Sequence, residues 1–102
     1  MWPFSSVQFA IEFDAAKSRR NEQERGLPFQ RVAGFDFGSA LFRVDDRKDY
    51  GEPRVVALGL MDGRVHAICF TFIEGGIRVI SLRKANRREV YRHDQSTAAH
   101  RR

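Results

Sequence analysis

Basic side chains at the ends of predicted strands are the groups in this sequence that could act on a phosphate. The candidates for catalysis are Arg64, His66, Arg78, Arg83 and His93. A guanidinium group stabilises the negative charge that develops on a transferring phosphoryl group. An imidazole can accept or donate a proton near neutral pH. These residue types therefore favour chemistry on a phosphodiester.

A second set of residues could hold a nucleic acid without taking part in the reaction. The candidates for contacts with its phosphates and bases are Arg54, Lys84, Arg88 and Tyr91. Arg83 and Lys84 are adjacent where a predicted strand changes to a helix, and two cations there could bind one phosphate. Because Arg54 and Arg64 occupy other predicted strand ends, we expect the arginines to converge on one rim of the sheet.

Strand alternation makes a further prediction about the last strand. Five residues separate Arg78 from Arg83, so in a regular strand the two side chains lie on opposite faces.

A structural role is the alternative to a catalytic or binding role for each of these candidates. His66 shares a strand face with Ile68 and Phe70, which is typical of a buried, hydrogen-bonded histidine. Trp2 and Phe4 could stack on bases, or they could pack in the core.

The distribution of charge indicates a partner that carries negative charge. The 102 residues include 18 Lys and Arg against 13 Asp and Glu, which gives a formal net charge of +5. The excess is concentrated in residues 76–102, where the only acids are Glu89 and Asp94. Such a segment attracts phosphates or an acidic partner, and the alternative is a solvated helix face with a basic tail.

The cysteine count, the motifs and the hydropathy indicate the cellular location of the protein and the cofactors that it could use. Cys69 is the single cysteine, so an intramolecular disulfide is excluded, and no Cys/His spacing typical of structural zinc is present. The sequence has no P-loop or dinucleotide fingerprint, and no apolar run reaches the roughly 18–20 residues of a membrane span. The first residues lack the pattern of a signal peptide. We therefore expect a cytoplasmic protein without metal, cofactor or membrane association.

Hydrophobic periodicity predicts a strand, a helix, a short helix, four strands and a final helix, in that order. Asp14 is placed to cap the first helix and Gly26 to end it. Turns at Asp62-Gly63 and at 74–76 join the last three strands into an antiparallel meander. The predicted strands cover residues 7–13, 41–44, 54–60, 65–73 and 77–82, and the predicted helices cover 15–25, 28–35 and 84–94.

The predicted fold class is α+β, a mainly antiparallel sheet with helices packed against one side. Residues 1–94 are expected to form a single domain. Residues 95–102 are polar, and we expect them to form a disordered tail.

Four ordered stretches of the chain resemble the BrnT family of toxins. They are FDAAK at 13–17 followed by Asn21, GLPF at 26–29, DYGEPR at 49–54, and RVISLRKA at 78–85 followed by Glu89. The resemblance covers residues 9–94. Each stretch is weak alone, but the ordered set at the family's spacing is specific.

The resemblance implies a fold like that of the RelE-type ribonuclease toxins and an endoribonuclease activity that inhibits translation. It also implies a cognate ribbon-helix-helix antitoxin of the BrnA kind. Toxin and antitoxin would form a hetero-oligomer that binds operator DNA through the antitoxin. A metal-independent reaction would suit the residues: the 2′-hydroxyl of the RNA attacks the adjacent phosphate, basic residues stabilise the charge, and His66 or His93 transfers protons.

Two other functions remain open at this point. The first is a catalytically weakened homologue that binds an antitoxin and acts as an operon co-repressor. Arg25 and His93 favour it, because they stand where the family pattern often has His and Tyr. The second is a small RNA-binding domain without cleavage, which exposed aromatic residues on a sheet face would indicate.

Overall fold

The order of strands and helices along the chain is the predicted one. The structure, a computed structural model, describes residues 9–100. The strands are β1 (Ala10–Phe13), β2 (Leu41–Val44), β3 (Val55–Met61), β4 (Arg64–Ile73) and β5 (Gly76–Lys84). The helices are α1 (Ala15–Arg25), a 3₁₀ helix (Phe29–Gly34) and α2 (Arg87–His100). Trp2, Phe4 and the predicted strand residues 7–8 lie outside the described residues.

The five strands form one mixed sheet in the order β1-β5-β4-β3-β2. The segment β2 to β5 is an antiparallel meander, and β1 pairs with β5 in parallel, with Ala10 opposite Gly76. The α+β class with a mainly antiparallel sheet is thus confirmed. Gly76, interpreted from sequence as part of a turn, begins β5. A Cβ atom there would overlap the backbone of Ala10, so only glycine permits this close pairing.

Helix α1 is bounded as predicted and is held to the sheet by a buried amide. Asp14 accepts a hydrogen bond from the Lys17 amide (3.0 Å), and Gly26 ends the helix with φ of 71°. The Nδ2 group of Asn21 donates to the carbonyls of Leu27 (2.6 Å) and Leu82 (2.9 Å). Arg25 donates to the Asn21 Oδ1 atom (2.9 Å). Hydrogen bonds, more than apolar burial, therefore fix this polar helix.

The helices lie on both faces of the sheet, so the prediction that they pack against one side is wrong. The 3₁₀ helix and the chain entering it cover one face, where Phe29 and Val32 join a core with Ile68 and Phe70. Helix α2 covers the other face, where the partly buried Val90 packs on a second core. The members of that core are Val56, Leu58, Val65, Ala67 and Ala85. The central strands bury side chains on both faces, which requires a layer on each side.

Helix α2 is longer than predicted. We expected it to end at Asp94 and to be followed by a disordered tail over 95–102, but it continues to His100. The physical reason is contact with the rest of the fold. His93 is buried, Ser96 and Thr97 are half-buried, and the Thr97 hydroxyl donates to the His93 carbonyl (3.1 Å). Residues 101–102 lie outside the described residues.

Candidate functional site

A cleft lined by arginines lies on the sheet face that carries α2. Arg43 from β2, Arg47 from the following loop and Arg83 from β5 line a cavity of about 120 Å³. We call this cavity the arginine cleft. Its remaining lining residues are Val56, Ala67, Ile68, Cys69 and Ser81. Because several of these side chains are small, the three cations surround open space.

A β-bulge in β5 places Arg78 and Arg83 on the same face of the sheet. Cys69 pairs with Ser81, whereas the next residue of β4 pairs with Val79, so Ile80 is an extra residue. Arg78 therefore lies opposite Thr71 and Arg83 opposite Ala67, two positions on one face of β4. The prediction that the two arginines lie on opposite faces is wrong, because the extra residue reverses the alternation.

Arg83 is held by a buried carboxylate at the beginning of α2. Its Nη1 and Nη2 groups donate to Glu89 Oε1 (2.7 Å) and Oε2 (2.9 Å). The Asn86 amide also donates to Glu89 Oε1 (2.9 Å), and the Glu89 amide donates to Asn86 Oδ1 (2.9 Å). This reciprocal pair is a helix capping box. The hydrogen bond from Arg83 is the main cause that lowers the pKa of Glu89 to about 2.

Arg47 is held by a second buried carboxylate. Its Nε and Nη2 groups donate to Asp45 Oδ1 (2.8 Å) and Oδ2 (3.0 Å), and the Tyr50 hydroxyl lies 3.3 Å from Oδ2. The Asp45 side chain is 2% exposed, whereas that of Arg47 is 75% exposed. The hydrogen bond from Arg47 lowers the pKa of Asp45. The loop thus presents a fixed cation whose charge is accessible at the cleft.

Two further predicted residues lie towards the end of the sheet where β5 begins. The Arg54 guanidinium stacks over the Tyr50 ring, with 3.9 Å between Cζ and the ring centroid. Glu52 lies between this group and Arg78: its carboxylate oxygens are 3.8 Å from Arg54 Nε and 4.0 Å from Arg78 Nη1. Arg78 Nε is also 3.6 Å from Glu12. The structure therefore brings Arg54 and Arg78 together.

A wider groove between β2 and α2 adjoins the arginine cleft. It has about 840 Å³ and shares Arg43 with the cleft, and we call it the α2 groove. Its other lining residues are Asn86, Arg87, Arg88, Glu89, Tyr91 and Arg92. Two predicted RNA-binding residues, Arg88 and Tyr91, lie here, and Tyr91 is 65% exposed. The cleft and the groove form one basic surface.

Arg64 and His66 lie away from this surface. Arg64 begins β4 opposite Met61, whereas Arg54 precedes β3 at the other end of the same hairpin. The predicted convergence of strand-end arginines on one rim is therefore wrong for Arg64. His66 is buried, and its Nδ1 group donates to the Arg64 carbonyl (2.8 Å). Burial is the main cause that lowers the pKa of His66.

Lys84 and His93 also lie outside the arginine cleft. Lys84 lines a separate cavity with Arg25, Leu27 and Arg83. His93 is 3% exposed and lines a cavity between α2 and the loop before β2. Of the five residues predicted to be catalytic, the structure places one, Arg83, in the cleft lining.

Sequence reasoning missed the residues that complete the cleft. Arg43 was interpreted as part of a strand, and Asp45 and Arg47 as part of a polar loop. The available signal was the acid-x-arginine spacing directly after a strand, since loops next to strand ends often carry binding residues. Arg43 and Arg47 lie near Arg83 because of the order of the strands in the sheet, and a local sequence pattern does not specify that order.

Apart from the three arginines, Cys69 is the titratable side chain in the lining of the cleft. Burial raises the pKa of the Cys69 thiol, which therefore stays protonated. Among the side chains that the structure describes, residues 9–98, no three His, Cys, Asp or Glu are grouped as a metal site would require. None of the described helices has the length and apolar character needed to cross a membrane.

Comparison with known families agrees with the resemblance seen in the sequence. The model of the BrnT ribonuclease toxins of type II toxin–antitoxin systems matches residues 13–89. This range contains Arg43, Arg47, Arg83 and Glu89. A search of curated proteins gave no match. Because the family match covers most of the chain and all of the arginine cleft, the chain belongs to the BrnT family of ribonuclease toxins of type II toxin–antitoxin systems.

Proposed function

We propose that this chain cleaves RNA in the arginine cleft by a metal-independent reaction and thereby inhibits translation. The observation that carries the proposal is that Arg43, Arg47 and Arg83 line one small cavity. Guanidinium groups bind phosphate oxygens and stabilise the charge that accumulates on them in the transition state. A phosphodiester placed among three such groups would be activated for displacement.

The reaction would use the 2′-hydroxyl of the RNA as its nucleophile. A bond forms between the 2′-oxygen and phosphorus while the bond to the 5′-oxygen breaks, which leaves a cyclic phosphate and a 5′-hydroxyl. One proton leaves the 2′-hydroxyl and one is added to the 5′-oxygen. Neither His66 nor His93 lines the cleft.

The adjoining α2 groove would hold the RNA on one side of the scissile phosphate. Arg88 offers a charge for a backbone phosphate, and the exposed ring of Tyr91 offers a stacking surface for a base. Arg54 and Arg78 carry positive charge further along the same face of the sheet. RNA that enters along this face would meet cations on both sides of the cleft.

The family membership supports a cognate antitoxin as the protein partner. We propose a ribbon-helix-helix antitoxin of the BrnA kind, which forms a hetero-oligomer with the toxin and carries it to operator DNA. We further propose a cytoplasmic location, because translation is inhibited there. The five-stranded α+β fold with helices on both faces supports a RelE-like architecture.

Cleavage of a long single-stranded RNA by the purified, antitoxin-free chain tests the proposal. We expect cleavage that EDTA does not abolish and that falls by about 100-fold in Arg83→Ala, the usual effect of removing one transition-state donor. Arg64→Ala is the matched control, because Arg64 is exposed and lies outside the cleft. Loss of cleavage in EDTA would contradict the metal-independent reaction. Equal losses in both variants would contradict the location of the site.

A catalytically weakened toxin that acts as an antitoxin-binding co-repressor is the second candidate. The observation that favours it is that two cleft arginines are already paired, Arg83 with Glu89 and Arg47 with Asp45. In that case the chain binds its antitoxin but does not arrest growth when expressed alone. Growth arrest by the wild-type chain, lost in Arg83→Ala, would exclude this candidate.

A further inference from the structure

A cavity beside the arginine cleft lies where α1 and β5 both end. It has about 360 Å³ and is lined by Arg25, Leu27, Arg83 and Lys84. We call it the Arg25 cavity. Arg83 lines both this cavity and the arginine cleft, so the two spaces adjoin at one guanidinium group. A chain that lies in the cleft can therefore continue into the Arg25 cavity.

The order of the strands places the Arg25 cavity and the α2 groove at different ends of the cleft. The cleft crosses the sheet from Arg43 on the edge strand β2 to Arg83 on β5. It shares Arg43 with the α2 groove and Arg83 with the Arg25 cavity, whereas the groove and the cavity share no described lining residue. The three spaces thus form one path with the cleft in the middle.

Arg25 and Lys84 are the cations of this cavity whose charge remains accessible to a ligand. Both side chains are exposed, and the lining that the structure describes contains no acidic residue. None of the ion pairs found among the described side chains includes Arg25 or Lys84. Arg83, in contrast, is paired with the buried Glu89. An anion in the cavity therefore meets two cations that are not already paired with a carboxylate of the described chain.

Arg25 is held at the cavity by a buried amide. The Nδ2 group of Asn21 uses its two protons on the carbonyls of Leu27 and Leu82, and its Oδ1 atom accepts from Arg25 Nη1 (2.9 Å). Because Asn21 is neutral, this hydrogen bond orients the guanidinium group and does not cancel its charge. The remaining N–H groups of Arg25 can donate to a ligand.

We propose that Arg25 and Lys84 bind the RNA phosphate adjacent to the scissile phosphate. The assignment rests on the proposed cleavage site, since it takes the scissile phosphate to lie beside Arg83 in the cleft. Adjacent phosphates of RNA are joined through a single nucleoside, so a strand in the cleft brings its next phosphate past Arg83. A guanidinium and an ammonium group then form charge-assisted hydrogen bonds with that phosphate. Arg25, which in the sequence favoured a weakened enzyme, is here a residue that positions the substrate.

Binding of a fluorescein-labelled, single-stranded 2′-O-methyl RNA to the full chain tests the phosphate site. This probe lacks the attacking hydroxyl, so binding is measured without cleavage. We expect Arg25→Gln and Lys84→Gln each to weaken binding by about tenfold in fluorescence anisotropy at low salt. The double variant should reduce the slope of log K against log salt concentration by about 0.7, the value for one phosphate of a single strand. A reduction of about 1.4 would place the two cations on different phosphates and overturn the shared site.

Arg19→Gln is the matched control for Arg25→Gln. Arg19 is exposed on the same helix and lines none of the three spaces. It lies about 200° around α1 from Asn21, on the other side of the helix. Binding should be unchanged in this variant. An equal loss in Arg19→Gln would overturn the assignment, and so would unchanged binding in Arg25→Gln and Lys84→Gln, which would leave an acidic protein segment as the ligand of the cavity.

Cleavage kinetics separate a positioning role from a catalytic one. Arg25→Gln should raise KM by about tenfold and leave kcat unchanged, because the contact is equally strong in the ground state and the transition state. A fall in kcat at unchanged KM would overturn the assignment by placing Arg25 at the reacting phosphate. If the wild-type chain binds the 2′-O-methyl RNA through Arg25 and Lys84 but does not cleave RNA, the proposed function fails and the phosphate site stands.

Discussion

Replacing Glu89 with glutamine removes the buried carboxylate that holds Arg83 at the beginning of α2. The glutamine keeps the size of the side chain and one oxygen that can accept from the Asn86 amide. It replaces the second oxygen by an amino group that faces the Arg83 guanidinium, which can only donate. The variant therefore loses the ion pair while it keeps most of the helix cap.

The magnitude follows from the lowered pKa of Glu89. The pKa falls from 4.5 to about 2 in the folded protein. At about 1.4 kcal/mol for each pKa unit, this shift sets an upper limit of about 3 kcal/mol on the stabilisation of the ionised form. The Arg83 side chain is 39% exposed, so its charge regains water when the partner is removed. We therefore expect a loss of about 2 kcal/mol in the free energy of unfolding near neutral pH.

The same shift gives the pH dependence. A carboxyl group whose pKa is lowered by folding stabilises the protein fully above its unfolded pKa of 4.5. The contribution is lost as the pH falls from 4.5 towards about 2, because the folded protein must then take up the proton. Glutamine does not titrate. The difference between wild type and Glu89→Gln should thus be constant above the unfolded pKa and narrow below it.

Urea denaturation followed by circular dichroism, at neutral pH and at a pH below the unfolded pKa, measures both effects. Glu12→Gln is the matched control, because Glu12 is 60% exposed and lies 3.6 Å from another arginine, Arg78. An exposed pair of this kind contributes at most about 1 kcal/mol. A loss in Glu89→Gln no larger than in Glu12→Gln, or a loss that does not change at low pH, would refute the reasoning.

Three further substitutions test other parts of the structure. Asn21→Ala removes two buried hydrogen bonds, and we expect thermal unfolding to show a loss of about 2 kcal/mol; an unchanged melting temperature would contradict the anchoring role of Asn21. Gly59→Ala places a Cβ atom 2.6 Å from Phe35 Cζ, so urea unfolding should show a loss of about 1–3 kcal/mol, and a neutral effect would mean that this ring moves freely. Tyr50→Phe removes the hydroxyl that lies 3.3 Å from Asp45 Oδ2 but keeps the ring under Arg54, so urea unfolding should show a loss of about 1 kcal/mol; an unchanged free energy of unfolding would mean that this hydrogen bond does not stabilise the loop.

Local chemistry in the sequence determined most of the secondary structure. Asp14 and Gly26 bound α1 because a side-chain cap and a left-handed residue are properties of single positions. The turn between β3 and β4 could also be predicted, because Asp-Gly is a residue pair that accepts positive φ values. Asp62 and Gly63 have the φ values of 54° and 75° that such a tight hairpin requires. The ordered motifs were sufficient to indicate the family. None of these signals depends on residues far away in the chain.

The tertiary structure alone decided which functional side chains meet. The extra residue at Ile80 reverses the alternation of β5, and strand pairing brings Arg43 and Arg47 to the same cleft as Arg83. His93 was a catalytic candidate in the sequence, but α2 turns it towards a different cavity. The physical reason is that periodicity assigns a residue to a face only within its own strand or helix. Which faces then pack together depends on the order of strands, on bulges and on which side of the sheet each helix covers.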